Sequence, residues 1–155
     1  MKKSILKYFV LGSVIVLFSA FQTSSFCDSA TLKAELKQEL KPDYRYDSSN
    51  ITPFKASGQF QGKKIEVPLF DGEKYRFVFN TKGADKNFQI YISNKKDGAK
   101  SGKFLYSLKE HREEGKDIYI FEPEKAQKLY ITYIVPPSLN DPKDFCAAFM
   151  IGYKL

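Results

Sequence analysis

Tryptophan is absent from this chain, histidine occurs once, and cysteine and methionine occur twice each. Each scarcity closes a class of chemistry. Two cysteines and the single, distant His111 do not make a zinc centre, which takes four Cys or His ligands at close spacings. A lone histidine also needs a positioned Ser or Cys and an orienting acid before it serves nucleophilic catalysis. No G-x-S-x-G stretch supplies one. The chain has no P-loop, no dinucleotide fingerprint and no H-E-x-x-H helix. His111 stands in "LKEHREEGK", among charges, and reads as a solvated loop residue. Glu110, Glu113, Glu114, Glu122 and Glu124 remain as acid–base candidates, but such carboxylates are ordinary on sandwich loops. The chain reads as non-catalytic, with no cofactor and no metal.

Apolar runs are also short. The longest, "YFVLGSVIVLFSAF", has 14 residues and follows Lys2, Lys3 and Lys7. A membrane span takes roughly 20. Residues 1–25 therefore read as a cleaved signal peptide, and the mature chain as having no transmembrane span. Cutting after Ser25 leaves small residues, Thr23 and Ser25, at the two positions that cleavage favours. A lipoprotein acylated at Cys27 is the weaker alternative, because bulky Phe26 precedes that cysteine. Export predicts a periplasmic, cell-surface or secreted location. An oxidising compartment permits a disulfide between Cys27 and Cys146.

Charge of one sign is not concentrated. There are 25 Lys and Arg, three of them in the leader, against 18 Asp and Glu, which leaves the exported part at +4. Basic residues alternate with acidic ones, whereas a nucleic-acid protein gathers them on one face. Nucleic acid is excluded as a partner on this ground and by export.

What the sequence does contain is period two. Leu32, Leu36 and Leu40 first mark a short helix over residues 31–41, which Asp28 or Ser29 caps and Pro42 follows. Residues 43–58 are rich in turn formers and read as an extended linker. From Gln59 on, alternation takes over: "KKIEVPLF", "DGEKYRFVFN", "NFQIYIS", "FLYSL", "DIYIF", "KLYITYIV" and "FCAAFMIGY". Polar, Gly-containing loops such as "NKKDGAKSGK" separate them. About seven short strands with this punctuation predict an all-β fold, an antiparallel β-sandwich or jelly-roll-like domain over residues 59–155. Residues 26–58 form the helix and linker.

The order of these segments resembles the bacterial pre-peptidase C-terminal domain family. "LFDGEKYRFVFNTKG" is similar to its opening strand, "DKNFQIYISNKKDG" to its next hairpin, "DIYIFEPEKAQKLYITYIV" to a later strand pair and "FMIGYKL" to its closing strand. The likeness covers residues 65–155 and lies at the level of fold. It implies an exported, non-catalytic accessory domain; some such domains bind matrix polymers or calcium. Here Asp85 is followed by Asn87 where the family spaces aspartates closely, which departs from a calcium set of several carboxylates.

The aromatics, 14 Phe and 10 Tyr, carry the remaining functional signal. Placing Ile118, Ile120, Leu129, Ile131 and Tyr133 in the core leaves Tyr119, Phe121 and Tyr130 on an opposite face, with Tyr91 able to join them. Such a platform suits an apolar patch on a protein partner or a sugar ring. The expectation is therefore an exported binding or accessory module that engages a protein or envelope component. A carbohydrate-binding module using the tyrosines, and a small hydrolase using loop carboxylates, are the alternatives. Without tryptophan, a protein or envelope partner is favoured over a glycan.

Overall fold

The computed structural model of the protein describes residues 27–137 and 143–155; the leader and its cleavage point lie outside these residues. In chain order come α1 (Ser29–Gln38), β1 (Arg45–Phe54), β2 (Gln61–Val67), β3 (Lys74–Asn80), β4 (Gln89–Ser93), β5 (Tyr106–Ser107), α2 (Leu108–His111), β6 (Ile118–Phe121), β7 (Leu129–Val135) and β8 (Phe145–Lys154). The first sheet has the order β1-β8-β3-β6 and the second β2-β7-β4-β5. Strands from the two halves of the chain are matched: β1 with β8, β2 with β7, β3 with β6 and β4 with β5, all antiparallel. This is one long hairpin rolled into two facing sheets, the jelly-roll arrangement. The antiparallel sandwich expected from the alternation is the fold.

Alternation puts one side of each strand between the sheets. Phe77 and Phe79 of β3, Ile90 and Ile92 of β4, Leu129, Ile131 and Tyr133 of β7, and Phe145, Ala147, Phe149 and Ile151 of β8 share one apolar core. Phe54 stacks on Phe145 with ring centroids 5.2 Å apart, and Phe88 meets Phe145 edge-on at 5.1 Å. Each such ring removed from water contributes about 1.5–3 kcal/mol. The shared interior fixes register, because a slip by one residue would turn every one of these side chains outward.

A second, smaller core lies on the outer face of the first sheet. Leu36 of α1, with Leu40 and Tyr44 just after it, packs on Val78, Ala148 and Met150, and Leu32 lies against the same cluster. Asp28 caps α1, accepting from the amides of Ala30 and Thr31 at 3.1 and 3.2 Å and from the Thr31 hydroxyl at 2.6 Å. The Thr31 hydroxyl, then the backbone amide, hold its carboxyl below the ordinary range. Helix geometry stops at Gln38 rather than at Lys41, and turns carry the chain on to β1. Asn80, fully buried, donates to Glu35 at 2.8 Å and ties α1 to β3. Cys27 and Cys146 form a disulfide with Cα atoms 5.7 Å apart, joining the residue before the cap to β8.

The predicted linker is corrected. Residues 45–54 form the edge strand of the first sheet, paired along β8 with an irregularity between Tyr46 and Ser48. Its composition hid it. Asp47, Ser48, Ser49, Asn50 and Pro53 all favour turns, but an edge strand tolerates proline, and only its end, Thr52 and Phe54, is buried. The sandwich therefore begins upstream of residue 59.

The face assigned to β6 is also corrected. Tyr119 is 2 % exposed inside the inter-sheet core, and Phe121 packs against that core. Ile118 instead lies against the α1 cluster, and Ile120 is 43 % exposed. Register explains the inversion: Phe77 faces Phe121 and Phe79 faces Tyr119 across β3 and β6. With apolar residues on both sides, β6 takes its orientation from the two phenylalanines of β3. The buried Tyr119 ring keeps its hydroxyl satisfied at the strand end, donating to the Lys116 carbonyl at 2.8 Å.

Candidate functional site

The four aromatics proposed as one platform fall in two places. Tyr119 and Phe121 belong to the interior. Tyr91 and Tyr130 lie on the outer face of the second sheet, both half-buried. Across that face the register sets Glu66 beside Tyr130 and Lys64 beside Thr132 on β2 and β7. On the β7–β4 side it sets Tyr91 beside Thr132 and Gln89 beside Ile134. Tyr91 is occupied by Phe104, whose ring centroid is 5.1 Å away.

The loop after β4 folds back over part of this face. Ser93 donates to the Lys95 carbonyl at 2.7 Å, and the Gly98 and Lys103 amides close the loop on the Lys95 and Gly98 carbonyls at 3.0 and 2.9 Å. Gly98 is buried against β4: a Cβ there would sit 2.4 Å from the Ser93 Cβ and 2.5 Å from the Lys103 carbonyl oxygen. Only glycine permits that approach. From β2, Lys64 reaches across to donate to the Lys96 carbonyl and pairs with Asp97 at 3.4 Å.

What this loop leaves uncovered is a groove of about 300 Å³ lined by Phe60, Gly62, Lys64, Ala99, Lys100 and Ile134, among others. Phe60 is 63 % exposed. Its ring lies over the site where Gly62 lacks a side chain, with Cε1 3.4 Å from the position a Cβ would take. A glycine inside a strand often marks such a close approach. The floor is apolar and the walls carry an aromatic ring, the ammonium groups of Lys63, Lys64 and Lys100, and the Asp97 carboxylate that Lys64 pairs with. Phe60 was not singled out in the sequence. Its signal is an aromatic two residues ahead of a strand glycine, followed by Lys63-Lys64.

Other clefts among the described residues hold polar groups, one of about 380 Å³ beside Glu122 and Glu124. Another, of about 270 Å³, is lined by Tyr106, Glu110, His111, Arg112, Glu113, Lys116, Tyr119 and Ile120. It gathers three of the chemistry-bearing residues considered above. However, the His111 ring stacks on Tyr106 at 4.7 Å with Nδ1 2.9 Å from the Ser107 carbonyl, and Glu113 pairs with Lys116 at 2.9 Å. The Tyr106 hydroxyl and Arg112 Nε are buried with no hydrogen-bond partner among the described residues. Burial, then the neighbouring Tyr119, push the Tyr106 hydroxyl up to about 12. A third cleft, about 260 Å³, lies beside the disulfide, where Asp28, Glu35, Lys82 and Asp144 converge. Glu35 pairs there with Lys82 at 3.5 Å.

Of the remaining carboxylates, Glu122 pairs with Arg76 at 2.7 Å. Asp85 accepts from the Asn87 amide at 2.7 Å, forming a turn. Among the described residues, no three His, Cys, Asp or Glu side chains are grouped to hold a metal ion, and no helix is long and apolar enough to cross a membrane.

No family model matches this chain, and no curated protein matches it.

Proposed function

We propose that this protein is an exported, non-catalytic β-sandwich module of the bacterial envelope that engages a protein or envelope component through the outer face of its second sheet. The observation that carries this reading is the groove. An exposed phenylalanine stands beside an apolar floor on a rigid sheet, and a docked loop forms the opposite wall. Exposed aromatics over apolar floors anchor partners. The disulfide agrees with passage through an oxidising compartment, and the order of strand segments keeps the likeness to pre-peptidase C-terminal domains as part of the proposal.

The test is photocrosslinking from position 60 in the cells that make the protein. Adducts from position 60, discrete for a protein partner or diffuse and of high mass for an envelope polymer, and lost when the crosslinker is moved to position 70, are the expected result. Turnover of a defined substrate by the purified protein, abolished by replacing Glu110 or Glu113, would replace this reading with a catalytic one.

A further inference from the structure

The geometry points to an anionic polysaccharide as the occupant of the groove, with one sugar ring stacked on Phe60 and its acidic groups held by the lysines of the β4–β5 loop. This rests on the binding-module reading and specifies its ligand. Three observations meet at one place.

The first is shape. The groove is open, about 300 Å³, and lies along a sheet face rather than in a closed cavity. Gly62, Thr132 and Ile134 form its floor, and the Phe60 ring its side. A flat apolar wall with one exposed ring suits the C–H face of a pyranose, which presents its hydroxyls outward to water.

The second is charge. The loop reads "NKKDGAKSGK", so Lys95, Lys96, Lys100 and Lys103 stand on ten residues that carry a single acid, Asp97. Asp97 is paired with Lys64. The four loop lysines are exposed. Among the described residues none of the four is in an ion pair. Lys100 lines the groove itself. Elsewhere in residues 27–155 basic residues interleave with acids, and of these loop lysines only Lys96 acts on a carboxylate outside the loop, Glu66, so this loop is where positive charge is left over. An anionic ligand is the complement.

The third is rigidity. Gly98 is seated against Ser93 and Lys64 pins the Lys96 carbonyl, so the ammonium groups are carried on an anchored backbone. Preorganised charge loses less entropy on binding. An acidic protein segment would meet the same lysines. The repeated anion on a polymer of rings matches ring and charge together, and so the polysaccharide is favoured.

The experiment is affinity electrophoresis and calorimetry of the oxidised protein with polygalacturonate and hyaluronate. Neutral dextran and poly-L-glutamate serve as comparison polymers. The expected result is binding to the acidic polysaccharides, absent with dextran and weakened by salt. Phe60→Ala weakens it by about tenfold, as loss of one stacked ring implies. Lys100→Gln weakens it too, and the triple change Lys95→Gln, Lys96→Gln, Lys103→Gln abolishes it. Phe70→Ala, at a ring 70 % exposed outside the groove, leaves it unchanged. Thermal melts show that the variants fold.

Equal binding of poly-L-glutamate with no effect of Phe60→Ala would reduce the loop to a non-specific cation cluster and overturn the inference. Failure to bind any acidic polysaccharide, with a discrete protein adduct from position 60, overturns the ligand and leaves the binding-module reading standing. Failure of both overturns both.

Discussion

Tyr119 and Tyr130 look alike in the sequence, each alternating with isoleucine in a short apolar run, yet they occupy opposite environments. Tyr119 is a core ring with its hydroxyl capped by a carbonyl, whereas Tyr130 lies half-buried on the outer sheet face. Tyr119→Ala should cost about 3 kcal/mol or more in urea unfolding; Tyr130→Ala should cost about 1 kcal/mol or less. Equal costs would undo the face assignment. Gly152 gives a second test. An added Cβ would lie 2.7 Å from a Leu40 methyl and 3.0 Å from the Arg45 carbonyl oxygen. Gly152→Ala should destabilise by about 1–3 kcal/mol, read as a lower denaturation midpoint, because the crowding falls on the contact between β8 and the segment after α1.

At the level of elements, legibility followed burial. β3, β4, β7 and β8 alternate or run apolar because one face of each lies in the core between the sheets and α1 covers the other face of β3 and β8, and their positions were evident. β1 was not, since an edge strand with one wet face carries little hydrophobic pattern. β6 was located but turned over: four consecutive apolar residues carry no periodicity, and only pairing with β3 orients them. The groove was illegible for a different reason. It depends on where a polar loop lands, and a loop's landing site is set by tertiary contacts such as Gly98 on Ser93, which no local pattern encodes. Gly98→Ala should release the loop while leaving the sandwich folded. Hydrogen exchange should quicken at the amide of the substituted position and at Lys103, the two amides that close the loop in the parent, with the amides of β7 still protected. Uniform protection in the variant would mean that the loop is not held there.

The molecule as a whole is four layers: α1, the first sheet, the second sheet, and the β4–β5 loop. The bridge from Cys27 to Cys146 spans 119 residues of sequence. Closing a loop of that length restricts the unfolded chain enough for about 4–5 kcal/mol. Unfolding with and without reductant should differ by roughly that amount, and non-reducing peptide mapping should recover the linked pair. Acid should act through Asp144. The Ala56 amide at 2.7 Å, then Lys55, hold its carboxyl below the ordinary range. A carboxyl depressed in the folded state binds its proton more readily when unfolded. Its contribution is therefore present above the unfolded pKa and is lost as pH falls through the folded one. Asp144→Asn should be less stable than the parent near about pH 7, with the gap closing in stronger acid. A gap independent of pH would assign the loss to something other than ionisation.

The bridge also settles a competition for one atom. A divalent sulfur has two bonds to give, and in the Cys27–Cys146 pair the Cys27 Sγ has given both, one to its own Cβ and one to its partner. No valence is left for the thioether that would carry a diacylglycerol. In every molecule folded this way, attachment to lipid through Cys27 is ruled out by stoichiometry. A population acylated there would have to leave Cys146 as a thiol, and alkylation of Cys146 would count it directly.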